Sequence, residues 1–317
     1  MFEEHHREVE SIIEREFGCR PHQIERMGNG ICNEVYRIRA GDLDCVVRLK
    51  AEARYMYGSH DHIPIFRNAS ITVPEILAED YSKTRSLFAY QVLSIIPGRD
   101  INDVIHTLTD GQLRAIAGHI SFVFDALKDV PNNGKFGDQW GDDDDLVDSW
   151  TDDIARMTKV VIGWGTRTGV LDAETEGILE WINAEYKPYF DSAACLTYYG
   201  DICAKNVMIH NGEFAGLVDL DALSQGDPLE AIGRIKASWY GTHHGSVYAE
   251  AVMDEQCLDR DHRRIVTMYA LLNRAYWTME NGIQFNQNTS TRVDPLREKQ
   301  DKAAVRALHK ELQSLLG

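Results

Sequence analysis

The chain has 317 residues, of which 44% are hydrophobic and 26% charged, a balance that is ordinary for a soluble globular protein with a sizeable core. Its length predicts about two domains or lobes. Its formal net charge of −17 argues against a nucleic-acid partner, because a polyanion requires a basic surface, and is compatible with a cationic substrate.

The absence of recognisable targeting signals and the cysteine spacing both favour the cytoplasm. No apolar run approaches the roughly 20 residues that a membrane helix needs, and the charged N-terminus lacks the apolar core of a signal peptide. The six cysteines show no CxxC spacing, so that buried thiols in a reducing compartment are expected and no zinc site is indicated. We therefore expect a cytoplasmic protein without a membrane partner.

The N-terminal part predicts a helix followed by a β-meander. The helix is expected over 3–17, and the three strands over 24–27, 34–39 and 44–50. The turn after the first strand contains Gly28, Asn29 and Gly30, and glycines let backbone N–H groups approach phosphate oxygens without a Cβ in the way. Arg48 and Lys50 are two residues apart, and so they face the same side of the third strand.

Two more predicted strands, 73–80 and 86–93, precede a mainly helical remainder. Helical apolar spacing begins at Thr109, recurs near 146–167 and 173–187, and dominates after Pro228. Eight aspartates lie between Asp138 and Asp153. Such a run is typical of a solvated loop and helix start, and the alternative is an acidic rim that attracts an aminated substrate.

The stretch 196–233 contains a predicted β-hairpin. Two apolar runs, 207–210 and 214–218, flank the dipeptide Asn211-Gly212. Both residues of this dipeptide tolerate positive φ, and Asn-Gly between apolar runs is the strongest short-range hairpin signal. The hairpin should therefore bring the residues just before and just after it to the same end of a small sheet.

Oxygen-bearing side chains flank this hairpin. Asp201 precedes it, Asn206 follows five residues later, and the second strand ends on Asp219, with Asp221 two residues further on. Convergence of Asp201, Asn206 and Asp219 at one end of a sheet suits a hard cation such as Mg²⁺ and the phosphates that it carries.

The pattern Asp201-x-x-x-x-Asn206, a hairpin, and an apolar strand closing on Asp219 resembles the catalytic and metal-binding core of the protein-kinase-like superfamily. Tyr199-Gly200-Asp201 and Gly226-Asp227-Pro228 are similar to the aminoglycoside phosphotransferase and choline kinase branch. Tyr199 stands where the family commonly has a structural His. Asp227 is interpreted as a structural acid at the start of the next helix.

This resemblance implies an α+β, two-lobed protein-kinase-like fold. The expected parts are an N-terminal antiparallel sheet lobe that binds nucleotide, residues 1–97, and a larger, mainly helical catalytic and substrate lobe, residues 98–317. The boundary between them is expected near Pro97-Gly98.

The resemblance also implies catalytic and metal-binding roles. Asp201 would accept a hydrogen bond from the attacking hydroxyl, and Lys205 would neutralise the transferring phosphate. Asn206 and Asp219 would hold Mg²⁺, with a further metal contact from Asp221.

The nucleotide-binding roles follow from the same resemblance. Gly28, Asn29 and Gly30 would cover the phosphates. Arg48 would hold the α- and β-phosphates, with Lys50 as the alternative. The C=O of Ser94 and the N–H of Ile96 would take the adenine edge.

One part of the family pattern is missing. A Glu on the helix after the third strand normally pairs with the strand cation, but no Glu lies between Glu52 and Glu75. Asp61 stands near the expected position and is one methylene shorter. Its other interpretation is an N-cap with Pro64 in the first helical turn, and the two interpretations are compatible.

The function implied is that of a small-molecule kinase, which transfers the γ-phosphate of ATP or GTP to a hydroxyl of an aminated or sugar-like substrate with Mg²⁺. An aminoglycoside-type antibiotic is the favoured acceptor. The alternatives are a choline, homoserine or methylthioribose-type metabolite kinase and a non-catalytic nucleotide-binding pseudokinase. The expected state is a monomer or a homodimer.

Overall fold

A computed structural model of the chain describes residues 2–27, 34–140, 146–202, 204–285 and 290–316. The helices are α1 (Phe2–Phe17), α2 (Arg54–Asn68), α3 (Ile101–Val104), α4 (Asp110–Leu127), α5 (Trp150–Thr168), α6 (Ala173–Glu185), α7 (Lys187–Phe190), α8 (Leu229–Ser238), α9 (His243–Glu255), α10 (Arg260–Met279) and α11 (Pro295–Leu315). The strands are β1 (Gln23–Met27), β2 (Glu34–Ala40), β3 (Leu43–Lys50), β4 (Ile76–Asp80), β5 (Ala89–Ser94), β6 (Arg99–Asp100), β7 (Gly137–Gln139), β8 (Leu196–Tyr198), β9 (Val207–His210), β10 (Glu213–Leu217) and β11 (Leu223–Gly226).

The N-terminal part is an antiparallel sheet of five strands in the order β1-β2-β3-β5-β4. Its inward side chains, such as Tyr36, Val47 and Tyr90, are buried with Val9 and Ile12 of α1. Helix α1 therefore covers one face of the sheet, as its apolar spacing predicts. A larger helical part follows, which confirms the predicted α+β class with an N-terminal sheet.

The predicted hairpin is confirmed. Strands β9 and β10 pair in antiparallel fashion around Asn211 and Gly212, which have φ values of 53° and 82°. Positive φ at both central residues is the requirement of a type I′ turn, whose twist matches the twist of the flanking strands. Strand β6 joins the other side of β9, so that a three-stranded sheet supports the residues around the hairpin.

Two apolar clusters organise the helical part. One cluster surrounds the hairpin and its approach, with Tyr199, Leu217 and Leu220 packed among α4, α8 and α9. The other centres on the buried helix α10 and includes residues of α5, α6 and α11. Among the described helices, none combines the length and apolar character that crossing a membrane requires.

The start of α2 differs from the sequence-based expectation. The helix begins at Arg54, so Asp61 is not an N-cap and Pro64 lies inside the helix rather than in its first turn. A proline inside a helix removes a backbone hydrogen bond and is normally disruptive. Here Ile63 and Phe66 are buried in the cluster around the hairpin. Tertiary packing of this apolar face keeps the helix continuous across the proline.

The link between the first sheet and the helical part is tightly packed at Gly98. Gly98 has a φ of 108°, and a Cβ on it would lie 2.2 Å from the carbonyl oxygen of Ile209 on β9. Both the positive φ and the close approach require glycine. The domain boundary at 97/98 itself stays a prediction.

We expect Gly98→Ala to lower the free energy of unfolding by about 2–4 kcal/mol, because it adds left-handed strain and a clash with Ile209. Gly163→Ala is the matched control, since Gly163 lies inside α5 with nothing within 4 Å of an added Cβ. The control should stabilise the protein by up to about 1 kcal/mol. Urea unfolding measures both, and an equal effect of the two substitutions would contradict the packing described.

Candidate active site

The candidate active site is formed by Arg48, Asp201, Asn206 and Asp219. Asp201 follows Gly200, where a Cβ would lie 2.1 Å from the Oγ of Ser224, so a larger residue before the acid would displace this serine side chain. The side chain of Asp201 is 49% exposed. Nδ2 of Asn206 donates to Oδ2 of Asp201 at 2.7 Å and to its carbonyl oxygen at 2.8 Å. Asn206 thereby orients the carboxylate of Asp201.

Tyr199 ties the Asp201 loop to the segment that follows β10. Its side chain is fully buried, and its hydroxyl lies 2.8 Å from the carbonyl oxygen of Val218 and 2.9 Å from that of Asp219. Its ring packs edge-on against Phe66 with ring centroids 5.6 Å apart. The tyrosine therefore has a structural, hydrogen-bonding position, which is the role expected of the residue that replaces the family His.

Asp219 holds its backbone in a left-handed conformation. Its φ is 61°, a conformation that costs energy for any residue other than glycine and is best tolerated by Asp and Asn. Its side chain is 50% exposed. Loss of hydration over the covered half of the side chain, and next the charge of Asp221, raise the pKa of Asp219 above its usual value. Such strain at a charged residue is common at functional sites.

Arg48 of β3 lies at the centre of the buried polar contacts. Its guanidinium donates to Oγ of Ser59 at 3.0 Å, to Oε1 of Gln91 at 3.2 Å and to Oδ1 of Asp219 at 3.3 Å. It also donates to Oδ2 of Asp221, whose other oxygen accepts from the hydroxyl of Ser59. The pKa of Arg48 stays raised despite burial, because Asp221 and Asp219 stabilise the cation.

The expected pair between Arg48 and Asp61 does not form. Asp61 is exposed and lies two residues after Ser59, so it projects from a different face of α2. The acids that pair with Arg48 are Asp221 and Asp219, which lie 173 and 171 residues away in sequence. Gly58 permits this close approach of α2, since a Cβ there would lie 1.7 Å from the carbonyl oxygen of Asp221.

Asp221 is more enclosed than the other predicted metal ligands. Its carboxylate is buried, and its two oxygens accept from Arg48 and Ser59, so its further metal contact stays a prediction. The other predicted oxygen donors are the amide oxygen of Asn206 and the half-exposed carboxylate of Asp219. Oxygen ligands of this type fit Mg²⁺, which keeps several waters and uses few protein ligands.

The other residues predicted to contact the nucleotide, Ser94, Ile96 and Lys50, differ in their hydrogen-bond partners and exposure. Ser94 ends β5, where its N–H donates to the carbonyl oxygen of Glu75 at 2.9 Å. The N–H of Ile96 has no hydrogen-bond partner within the part of the chain that the structure describes. Lys50 is partly exposed at the end of β3 and interacts electrostatically with Asp219.

Several predicted site residues lie outside the described ranges, and Lys205 has no described contact with Asp201. Gly28, Asn29 and Gly30 lie outside the described residues, as does the run 141–145 within the aspartate-rich segment. Lys205 is exposed and interacts electrostatically with Asp100.

Asp227 has the structural role that its position predicts. It is buried, and its Oδ1 accepts from the N–H of Leu229 at 3.0 Å. Its Oδ2 accepts from the hydroxyls of Tyr189 at 2.6 Å and Tyr269 at 2.8 Å. Burial raises the pKa of Asp227, and these three donors oppose that rise.

Sequence reasoning missed Arg234. Its Nη1 lies 3.8 Å from Oδ1 of Asp201, and its Nε donates to Oε1 of Glu230 at 2.7 Å. In sequence, Glu230 and Arg234 are an ordinary i, i+4 pair of a helix surface. The only available signal was their position directly after Gly226-Asp227-Pro228.

We expect Arg48→Met to lower the free energy of unfolding by roughly 3–5 kcal/mol, because it leaves the buried carboxylate of Asp221 without its cation. Arg37→Met is the control, since Arg37 pairs with Asp44 at 2.8 Å but both side chains are largely exposed, at 36% and 40%. The control should cost about 1 kcal/mol or less. Urea unfolding compares them, and similar losses would show that the Arg48 contacts contribute no special stability.

Solved structures with the same fold include three aminoglycoside phosphotransferases. The chain is similar to the GDP complex of wild-type aminoglycoside 2′-phosphotransferase-IIIa, with 13% identity, a TM-score of 0.71 and coverage of 97% of this chain and 99% of that one. It is similar to a ternary complex of APH(4)-Ia with AMP-PNP and hygromycin B, with 18% identity, a TM-score of 0.67 and coverage of 94% and 98%. It is also similar to the streptomycin–ATP–APH(2″)-IIa ternary complex, with 13% identity, a TM-score of 0.65 and coverage of 95% of this chain and 95% of that one.

At these identities the similarity establishes the fold. No curated protein sequence matches the chain. A family model does match, described as the phosphotransferase enzyme family, and it covers residues 23–266. The matched region contains Arg48, Asp201, Asn206 and Asp219 and extends over most of the chain. The family indicated by the sequence motifs is therefore confirmed, and the chain belongs to the phosphotransferase enzyme family.

Proposed function

We propose that this protein is a Mg²⁺-dependent small-molecule kinase that transfers the γ-phosphate of ATP or GTP to a hydroxyl group of an aminated or sugar-like acceptor. An aminoglycoside-like acceptor is favoured. The observation that carries the proposal is the grouping of Asp201, Asn206 and Asp219 opposite Arg48. Phosphoryl transfer depends mainly on positioning and on neutralisation of charge, and these four residues provide both.

Asp201 would act on the acceptor. Oδ2 of its carboxylate is held by Asn206, and Oδ1 can accept a hydrogen bond from the acceptor hydroxyl. The hydroxyl oxygen forms a bond to the γ-phosphorus while the bond from that phosphorus to the leaving oxygen breaks. The hydroxyl proton passes late to Asp201, and a nucleoside diphosphate leaves.

The remaining residues would manage the phosphate charge. Asn206 and Asp219 would hold Mg²⁺, which supplies positive charge to the phosphate oxygens when bound. Arg48 holds Asp219 in place at 3.3 Å, and either Arg48 or the more exposed Lys50 would meet the α- and β-phosphates. Lys205 is exposed and available to neutralise the transferring group.

A cationic acceptor is supported by charge. The formal net charge of the chain is −17. Glu280, directly after α10, interacts electrostatically with Asp201 and Lys205, and burial raises the pKa of its carboxyl to about 7. An ammonium group on the acceptor would stabilise the ionised form of such a carboxyl. The neighbours of known structure include proteins described with hygromycin B and streptomycin.

We expect phosphoryl transfer from γ-labelled ATP or GTP when the protein is screened against hygromycin B, streptomycin, choline, homoserine and sugar alcohols. Asp201→Asn should lower kcat by roughly 10²–10⁴-fold, because the amide cannot take the proton. Asp103→Asn, at an exposed acid of α3 that pairs with Arg99, is the control. Full turnover by Asp201→Asn would refute the assignment, and the acceptor class that reacts would decide among the alternative kinases.

Asp219→Ala should remove Mg²⁺-dependent nucleotide binding, because it deletes the more exposed of the two oxygen donors. Titration calorimetry with ADP, with and without Mg²⁺, should show a Kd at least about 10-fold higher in the presence of the metal. Asp103→Ala should leave the Kd unchanged. If Asp219→Ala binds Mg²⁺-ADP as the wild-type protein does, the metal is held elsewhere.

A further inference from the structure

Asp201 has a second neighbour besides Asn206. Nη1 of Arg234, on α8, lies 3.8 Å from Oδ1 of Asp201. This separation is an ion pair rather than a hydrogen bond. The guanidinium charge therefore lies beside Oδ1, the oxygen that the proposed mechanism assigns to the acceptor hydroxyl. The two carboxylate oxygens thus have different partners, Asn206 on Oδ2 and Arg234 near Oδ1.

A hydrogen bond to the buried Glu230 fixes the position of Arg234. Its Nε donates to Oε1 of Glu230 at 2.7 Å, and this oxygen also accepts from Nδ2 of Asn273 on α10 at 3.0 Å. The hydroxyl of Tyr198 on β8 donates to the other oxygen of Glu230 at 3.4 Å. Glu230 and Asn273 are buried, with 6% and 3% of their surface exposed. Groups from α8, α10 and β8 therefore fix where the guanidinium can lie.

The charges around Arg234 are mostly negative. Burial lowers the pKa of Arg234, but the charges of Glu230, Asp138 and Asp201 outweigh this effect and raise it well above its usual value. Asp138 is itself held by the hydroxyl of Ser224 at 2.6 Å. A positive charge at this position attracts the carboxylate of Asp201.

We propose that Arg234 is a positioning residue for Asp201: Glu230 and Asn273 fix the guanidinium, and the guanidinium fixes the orientation of the catalytic carboxylate that Asn206 holds from the other side. This inference rests on the proposed kinase function and adds to it a group that acts through Asp201. Loss of the guanidinium should therefore affect the transfer step and not the affinity for nucleotide.

The test measures the turnover of ATP and of GTP by the full-length protein with water as acceptor. Arg234→Met should lower kcat by roughly 10²-fold, the effect of a small misplacement of a catalytic group. The KM for nucleotide, and the Kd of Mg²⁺-ADP by calorimetry, should remain within about twofold of the wild-type values. Arg234→Lys should recover part of the lost kcat, since it keeps the charge but not the planar fork.

The matched control is Arg274→Met. Arg274 pairs with Asp301 of α11 at 2.6 Å and has a similar exposure, 21% against 28% for Arg234, but it has no contact with Asp201. It should lose stability without a selective loss of kcat. If Arg234→Met does not fold, the double variant Arg234→Met/Glu230→Gln removes the unpaired buried carboxylate, and the same loss of kcat is expected.

The results separate the two proposals. A kcat of Arg234→Met, or of the double variant, equal to that of Arg274→Met overturns the positioning role. A parallel loss of kcat and of nucleotide affinity also overturns it, because a general structural defect then explains the change. If the wild-type protein turns over neither nucleotide with water or with any screened acceptor, the proposed function fails and the positioning role fails with it.

Discussion

The contact between Arg48 and Asp221 joins the N-terminal sheet to the segment that carries the candidate metal ligands, and the site depends on it. The guanidinium is buried, and its partners come from α2, from β5 and from the chain after β10. The close approach of α2 requires Gly58, where any Cβ would meet the carbonyl of Asp221. A buried cation with this many acceptors tolerates few other arrangements, because each unpaired charge would be costly. The position of Asp219 relative to β3 follows from this contact.

Contacts from neighbouring side chains also hold Asp201 and Asp219 in position. Tyr199 links the Asp201 loop to the backbone of Asp219, which keeps the strained left-handed turn in place. Asn206 and Arg234 approach the two oxygens of Asp201 from different sides. In the proposed kinase reaction, such preorganisation would stabilise the reacting phosphate and hydroxyl without a rearrangement of the protein's own dipoles.

The parts of the site that are local in sequence were predictable. The Asn211-Gly212 turn and the short spacing from Asp201 to Asn206 fix their own geometry, and the structure groups both with Asp219. Contacts distant in sequence were not. Asp61 was the acid nearest to the position where the family has its helix Glu, whereas the acids that pair with Arg48, Asp219 and Asp221, lie 171 and 173 residues away in sequence.

One further error and one omission share a physical cause, since tertiary packing outweighed local preference. Pro64 indicated a helix start, but the burial of Ile63 and Phe66 carries α2 through the proline. Glu230 and Arg234 have the spacing of a solvent-exposed helix pair, yet Glu230 is buried and Arg234 lies beside Asp201.

The most direct test of the proposed site is a crystal structure with AMP-PNP and Mn²⁺, in which anomalous scattering locates the Mn²⁺ ion. We predict Mn²⁺ bound by the amide oxygen of Asn206 and the carboxylate of Asp219 at about 2.0–2.2 Å, with the γ-phosphate facing Asp201. Metal or nucleotide bound away from these residues would contradict it.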